Sequence, residues 1–142
     1  MVLDHLSILL SGLEGDERRM IDQTMTKLRS LVERTGIHLF LVSHLRRTQQ
    51  DKNHEEGARV TLGQLRGSAA ISQLSDTVIA LERDQQTDKD GGVTTLRVLK
   101  NRYSGETGIA TTLNYDLSNC RFSENETTEP SFLRGTSETT DF

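Results

Sequence analysis

Apolar positions along this 142-residue chain follow two different periods, and the change from one to the other marks its elements. Between residues 16 and 34, Ile21, Met25, Leu28 and Val32 recur at steps of four, three and four, the spacing of a helix with one buried face. Asp16 can cap that helix, Glu17 suits its positive N-terminal end, and Gly36 stands where a C-cap is needed. Two short apolar runs flank it. Met1-Val2-Leu3 ends on Asp4-His5, and His38-Leu39-Phe40-Leu41-Val42 ends on Ser43-His44. Both read as buried strands, and strand, helix and strand make a βαβ unit with parallel strands and a right-handed crossover. The two polar endings then fall together at the carboxyl edge, where open α/β sheets bind ligands.

From residue 45 to 60 the chain turns polar, and a loop of that length in a compact domain is usually functional or disordered. Thr61 with Gln64 fits a capping box for a short turn, and Ser68 can cap a helix over residues 69–74. Residues 77–82 read as a third strand. A turn over 88–92, a strand over 94–100 with Leu96 and Val98 inward, a turn over 104–108 and a strand over 109–115 follow. The expected architecture is α/β, a mostly parallel sheet flanked by helices with a C-terminal antiparallel meander. Beyond Asp116 the Ser/Thr/Glu composition predicts disorder, which divides the chain into a folded part, 1–116, and an acidic tail, 117–142.

Composition narrows the setting. Hydrophobic residues make up 33%, aromatics 4%, and Trp is absent, so the expected core is lean. A single cysteine, Cys120, forms no internal disulfide and fits a reducing compartment. No apolar run reaches membrane-spanning length and no signal peptide opens the chain, so a soluble, cytoplasmic protein without a membrane role is expected. The formal charge of -4 resides in residues 123–142, where Glu124, Glu126, Glu129, Glu138 and Asp141 outnumber Arg134 and leave residues 1–122 balanced. Any nucleic-acid contact must therefore come from local basic clusters.

Several residues carry candidate chemistry. Asp4, at the end of an apolar strand, is placed as a magnesium-binding carboxylate would be, although an Asp there is more often a turn or helix cap. His44 either satisfies a backbone carbonyl or hydrogen-bonds a terminal phosphate beside Asp4. Ser43 and His44 point to opposite faces and cannot form a nucleophile and base pair with each other. His54 with Glu55 and Glu56 lacks a spaced second histidine or cysteine and reads as solvated loop. Arg46, Arg47, Lys52, Arg59 and Arg66 cluster around the polar loop without aromatics, a pattern suited either to solvent or to phosphate backbones rather than stacked bases. Lys100 and Arg102, two apart on an expected strand, share a face, which suits a polyphosphate opposite them or a charged strand edge. No G-x-x-x-x-G-K-[ST] loop occurs, so the pattern is that of the back half of an ATPase whose chemistry needs a partner segment.

Read in order, LDHLSI, DERRMID, FLVSHLRR, HEEG, LRGSAAISQLSD, VIALER, LKNRYSGETG and the terminal TDF resemble the C-terminal half of the replicative helicase-primases of T7-like phages. More distantly the chain resembles the mitochondrial replicative helicase and the bacterial hexameric helicase, which share a RecA-type core. The resemblance implies a RecA-like fold and ATP-driven translocation on single-stranded DNA with duplex unwinding, in the host cytoplasm. It implies ATP or dTTP with Mg2+ as cofactors. Asp4 corresponds to the magnesium ligand and His44 to the sensor of the γ-phosphate. Arg46, Lys52 and Arg66 fall in the DNA-gripping channel loop, although Gln49-Gln50-Asp51 departs from that loop's lysine- and glycine-rich pattern. Arg102 matches an arginine finger reaching into the neighbouring subunit of a ring, with Lys100 beside it. Arg83 and Tyr115 match the pair that holds the adenine ring. Asp141 and Phe142 end a tail that implies docking to the replicative polymerase. The alternative is a non-catalytic fragment that binds helicase subunits or polymerase.

Overall fold

Asp16 caps the helix that the periodicity predicts. Its Oδ1 accepts the Arg18 backbone N–H at 2.9 Å, α2 runs Glu17–Thr35, and Gly36 closes it at φ 66, a left-handed conformation that glycine adopts without strain. The computed structural model describes residues 1–12, 15–46, 53–65, 69–85 and 92–124. The chain divides into two compact units, residues 1–46 with 62–75 and residues 47–61 with 76–142.

In the first unit β1 (Val2–Leu3) pairs in parallel with β2 (Phe40–Leu41), Val2 opposite Phe40 and Leu3 opposite Leu41. The Val42 N–H extends this pairing to the Leu3 carbonyl at 2.9 Å. A short helix, α1 (Leu6–Leu10), follows β1, and α3 (Ala69–Leu74) returns to the same core after a 3-10 turn over Leu62–Gln64. Leu6 and Leu10 of α1, Ile21 and Met25 of α2 and Ile71 of α3 form the buried cluster. Each such side chain contributes about 1.5–3 kcal/mol when fully buried, so these few positions dominate the unit's stability. Leu45 bridges antiparallel to Leu65, and the Arg46 N–H donates to the Gln64 carbonyl at 2.7 Å.

The second unit is an antiparallel sheet in the order β3 (Thr77–Arg83), β4 (Val93–Asn101), β5 (Gly108–Asp116), β6 (Arg121–Glu124). The α/β arrangement and the antiparallel meander are as expected, while among the described residues the parallel part is the single β1–β2 pair. The linkers explain the balance: a parallel neighbour needs a crossover of a dozen residues or more, whereas β4 and β5 are joined by a short turn that permits only antiparallel return. The expected disorder beyond Asp116 is corrected. Residues 117–120 turn, and β6 pairs with β5, Tyr115 opposite Phe122 and Asp116 opposite Arg121. Residues 125–142 lie outside the described part.

Burial along β3 inverts simple hydrophobic alternation. Ala80 and Glu82 are buried while Ile79 and Leu81 are exposed. On β4 the buried position is Thr94, with Leu96 and Val98 only half-buried and the register shifting between Leu96 and Arg97. Residues 55–60 fold against the end of β3: Glu56 bridges to Asp84, the Gln85 N–H donates to the Glu55 carbonyl at 2.8 Å, and Ala58 and Val60 are buried. No described helix is long and apolar enough to cross a membrane.

Candidate active site

At the carboxyl end of β1, Asp4 is exposed and joined to His5 by a cis peptide. The His5 ring meets His44 edge-on, centroids 4.2 Å apart, and its Nδ1 is buried without a hydrogen-bond partner among the described residues. The parallel pairing of β1 and β2 thus brings the two polar endings together, as their strand positions predict. No group of three or more His, Cys, Asp or Glu able to hold a metal ion occurs among the described residues. A lone exposed carboxylate fits a magnesium ion that arrives with its other ligands, phosphate oxygens and water, and does not fit a permanently held metal. Arg46 is exposed beside the Leu45–Leu65 bridge. Lys52, Arg66, Asp141 and Phe142 lie outside the described residues.

In the second unit the sheet brings Arg83 of β3 to Tyr115 of β5 although the whole of β4 lies between their strands. The Arg83 guanidinium carbon stands 5.7 Å from the Tyr115 ring centre, within cation–π range. Phe122 packs on Tyr115 from β6, centroids 4.9 Å apart. Among the described residues Arg83 Nε is buried and unpartnered, and so is the hydroxyl of Thr94, the residue opposite Arg83 on β4. Cys120, at φ 56, places its thiol at the Tyr115 hydroxyl. That contact raises the phenol pKa above its ordinary 10.0, helped by a little burial and opposed by the Arg83 charge. A cation over an aromatic face, with spare buried polar atoms alongside, is an arrangement able to take a flat heteroaromatic ring that has hydrogen-bonding edges.

Arg102 departs from its expected place. β4 ends at Asn101, whose Oδ1 accepts the N–H groups of Tyr103 and Ser104 and turns the chain, so Lys100 and Arg102 do not alternate on one strand face. Arg102 instead meets Asp76, Nη1 to Oδ1 at 3.3 Å, and its backbone N–H donates to the Asp76 carbonyl at 2.8 Å. Lys100 stays in the ladder opposite Val78. Sequence reasoning passed over His5, Glu82, Thr94 and Phe122. Glu82 was detectable as a charge interrupting an apolar strand. Phe122 was hidden by the polar composition around it.

The chain is α/β, with a carboxylate and two histidines at the edge of one sheet and an arginine–tyrosine pair on the other. The DnaB-like helicase C terminal domain family matches residues 1–124, and the chain belongs to that family. It is also 50% identical over 117 residues to the DNA helicase/primase of Enterobacteria phage T3, a match covering 82% of this chain and 20% of that protein. The chain therefore spans about a fifth of that relative's length, and the family it belongs to is that of a helicase C terminal domain.

Proposed function

We propose that this segment serves an ATP-driven helicase that translocates on single-stranded DNA and unwinds duplex at a phage replication fork. The observation carrying the reading is the Arg83–Tyr115 pair, a preformed cation and aromatic face suited to a nucleobase. ATP or dTTP is the nucleotide, and the phosphate-binding loop that these 142 residues lack comes from another segment. Asp4 would hold the Mg2+ that accompanies the nucleotide, and that ion supplies neutralisation of phosphate charge. His44 hydrogen-bonds the terminal phosphate. Arg102 exchanges Asp76 for the phosphates bound by a neighbouring subunit, which requires a ring, and Lys100 supports it. Arg46, Lys52 and Arg66 contact the DNA backbone. Asp141 and Phe142 dock the replicative polymerase, and the assembly works in the host cytoplasm.

The test is steady-state hydrolysis of ATP and dTTP by the complete helicase, with and without single-stranded DNA. DNA-stimulated turnover is expected in the parent and should be lost in Asp4→Asn, while the 142-residue chain alone should show none. Undiminished turnover in Asp4→Asn removes Asp4 from the chemistry. Turnover by the isolated chain removes the need for a partner segment. The missing phosphate loop also favours a second reading, a non-catalytic fragment that binds helicase subunits or polymerase; binding without any stimulation of turnover would select it.

A further inference from the structure

Glu82 is a buried carboxylate, 8% exposed, that follows the apolar run Val78–Leu81 near the end of β3. An ionised carboxylate taken out of water loses several kcal/mol of solvation unless donors replace the water. Three do. Arg97 presents its fork, Nε to Oε1 at 2.8 Å and Nη2 to Oε2 at 3.0 Å, and the Val60 backbone N–H donates to Oε1 at 2.8 Å. Buried ion pairs can often be replaced by apolar residues of similar volume with no loss of stability, so stability alone is a weak reason for this one. Its distinguishing feature is what it joins: the interior of a sheet to the returning arm of the polar loop.

Residues on either side of Arg83 hold that arm. Glu82 takes Val60, Asp84 bridges to Glu56, and the Gln85 N–H donates to the Glu55 carbonyl. Gly57 leaves no slack, since a Cβ there would stand 3.2 Å from Asp84 Cβ and 3.3 Å from its backbone N. Consecutive strand residues face opposite sides, so Glu82 grips the loop on one face while Arg83 covers Tyr115 on the other. A ring sliding between Arg83 and Tyr115 has to part them, and the backbone that moves with Arg83 is the backbone to which residues 55–60 are tied.

We infer that Glu82 is a positioning residue that transmits occupancy of the Arg83–Tyr115 contact to the loop arm at residues 55–60. The inference rests on the reading that this pair holds a nucleobase. It makes the loop sensitive to the base of the nucleotide, apart from any signal carried by the phosphates.

The experiment measures amide hydrogen exchange over residues 55–60 in the complete helicase with saturating ATP, against inorganic tripolyphosphate, which offers phosphates without a base. ATP should slow exchange there by about fivefold or more beyond tripolyphosphate. Glu82→Ala should bind ATP within about threefold of the parent and lose the base-specific slowing, a difference that a merely structural residue would not remove. Glu82→Gln, which keeps an acceptor for Val60, should retain most of it. Val60→Pro deletes the donated N–H, leaves the Glu82–Arg97 pair intact and should uncouple the loop even if Glu82→Ala fails to fold. Equal exchange with ATP and tripolyphosphate in the parent, or base-specific slowing that survives in Val60→Pro, overturns the inference. Tyr115→Ala separates the two ideas: ATP affinity unchanged in that variant overturns the nucleobase reading itself, whereas weakened affinity in that variant together with equal exchange for ATP and tripolyphosphate in the parent overturns only the coupling.

Discussion

Arg83 and Tyr115 close on each other, the guanidinium 5.7 Å from the ring centre, with Phe122 supporting the ring from β6. A nucleobase seated there gains stacking on one side and a cation on the other, at the expense of the contact the two side chains make together. Alanine substitution of a base-stacking aromatic costs about 1–3 kcal/mol, so Tyr115→Ala should weaken nucleotide binding by the complete helicase tenfold or more. Tyr115→Phe keeps the face and should stay within about threefold of the parent. Titration of a fluorescent nucleotide checks both, and equal affinity in all three proteins removes Tyr115 from the site.

Thr94 offers a prediction with two signs. Its hydroxyl is buried without a partner among the described residues, in a residue only 3% exposed, and an unsatisfied buried polar group costs about 1–3 kcal/mol. Thr94→Val, which swaps the hydroxyl for a methyl of similar shape, should raise nucleotide-free stability by about 1 kcal/mol in urea unfolding. If the hydroxyl serves a bound nucleotide, the same variant lowers affinity while raising stability. A variant that is less stable without nucleotide would mean that the hydroxyl has a structural partner.

The long helix was legible because nineteen residues give its period several turns in which to declare itself. The five residues of α1 do not, although Leu6 and Leu10 are both buried. Strands β3, β4 and β5 were recognisable from apolar runs between turn signals. β6 was not, because four exposed residues owe their strand to register with β5 rather than to their own composition. Lys100 and Arg102 show the limit of alternation: the Asn101 side chain bonds to the backbone ahead of it and ends the strand one residue early. Pairing of β1 with β2 placed His44 at His5 much as local pattern predicts. The approach of Arg83 to Tyr115 followed from family resemblance, since no spacing along the chain encodes a contact made across an intervening strand.

The turn between β5 and β6 should respond to acid. Asp116 accepts the Ser118 hydroxyl at 2.6 Å, the Ser118 N–H at 2.8 Å and the Asn119 amide at 2.6 Å, and these bonds hold its pKa below the ordinary 3.8. A carboxylate with a depressed folded-state pKa stabilises the fold above its unfolded pKa, and that contribution disappears as pH falls through the folded value. Ser118→Ala should move the Asp116 pKa back toward 3.8, as NMR titration of its carboxyl carbon would show. At the other end of the scale the Cys120 thiol raises the Tyr115 phenol above 10.0, so that contribution is present below pH 10.0 and disappears as pH rises through the folded value. Cys120→Ala should lower it, and ultraviolet titration in a Tyr103→Phe background reads the change. No movement in either variant would assign the shifts to other groups.

Arg102 is held by a partner it can leave. Its ion pair with Asp76 spans 3.3 Å with the arginine side chain 45% exposed, and a pair of this kind contributes about 0–1 kcal/mol. A polyphosphate, with more charge and more acceptors, competes readily against a single surface carboxylate. If Arg102 acts across a subunit boundary, Arg102→Ala in the complete helicase should cut hydrolysis by about 10³ or more and leave nucleotide affinity nearly unchanged, because the lost interaction belongs to the transition state. Asp76→Asn removes the charge of this carboxylate and keeps the guanidinium, and should leave turnover equal to or above that of the parent. Mixing Arg102→Ala subunits with Asp4→Asn subunits adds a sharper readout. In a ring that places Arg102 of one protomer at the nucleotide of the next, some mixed interfaces join an intact Asp4 to an intact Arg102, so the mixture should regain part of the activity that each variant lacks alone. Inactive mixtures, or an affinity loss in Arg102→Ala as large as the loss of turnover, would make Arg102 a structural residue that serves to hold Asp76.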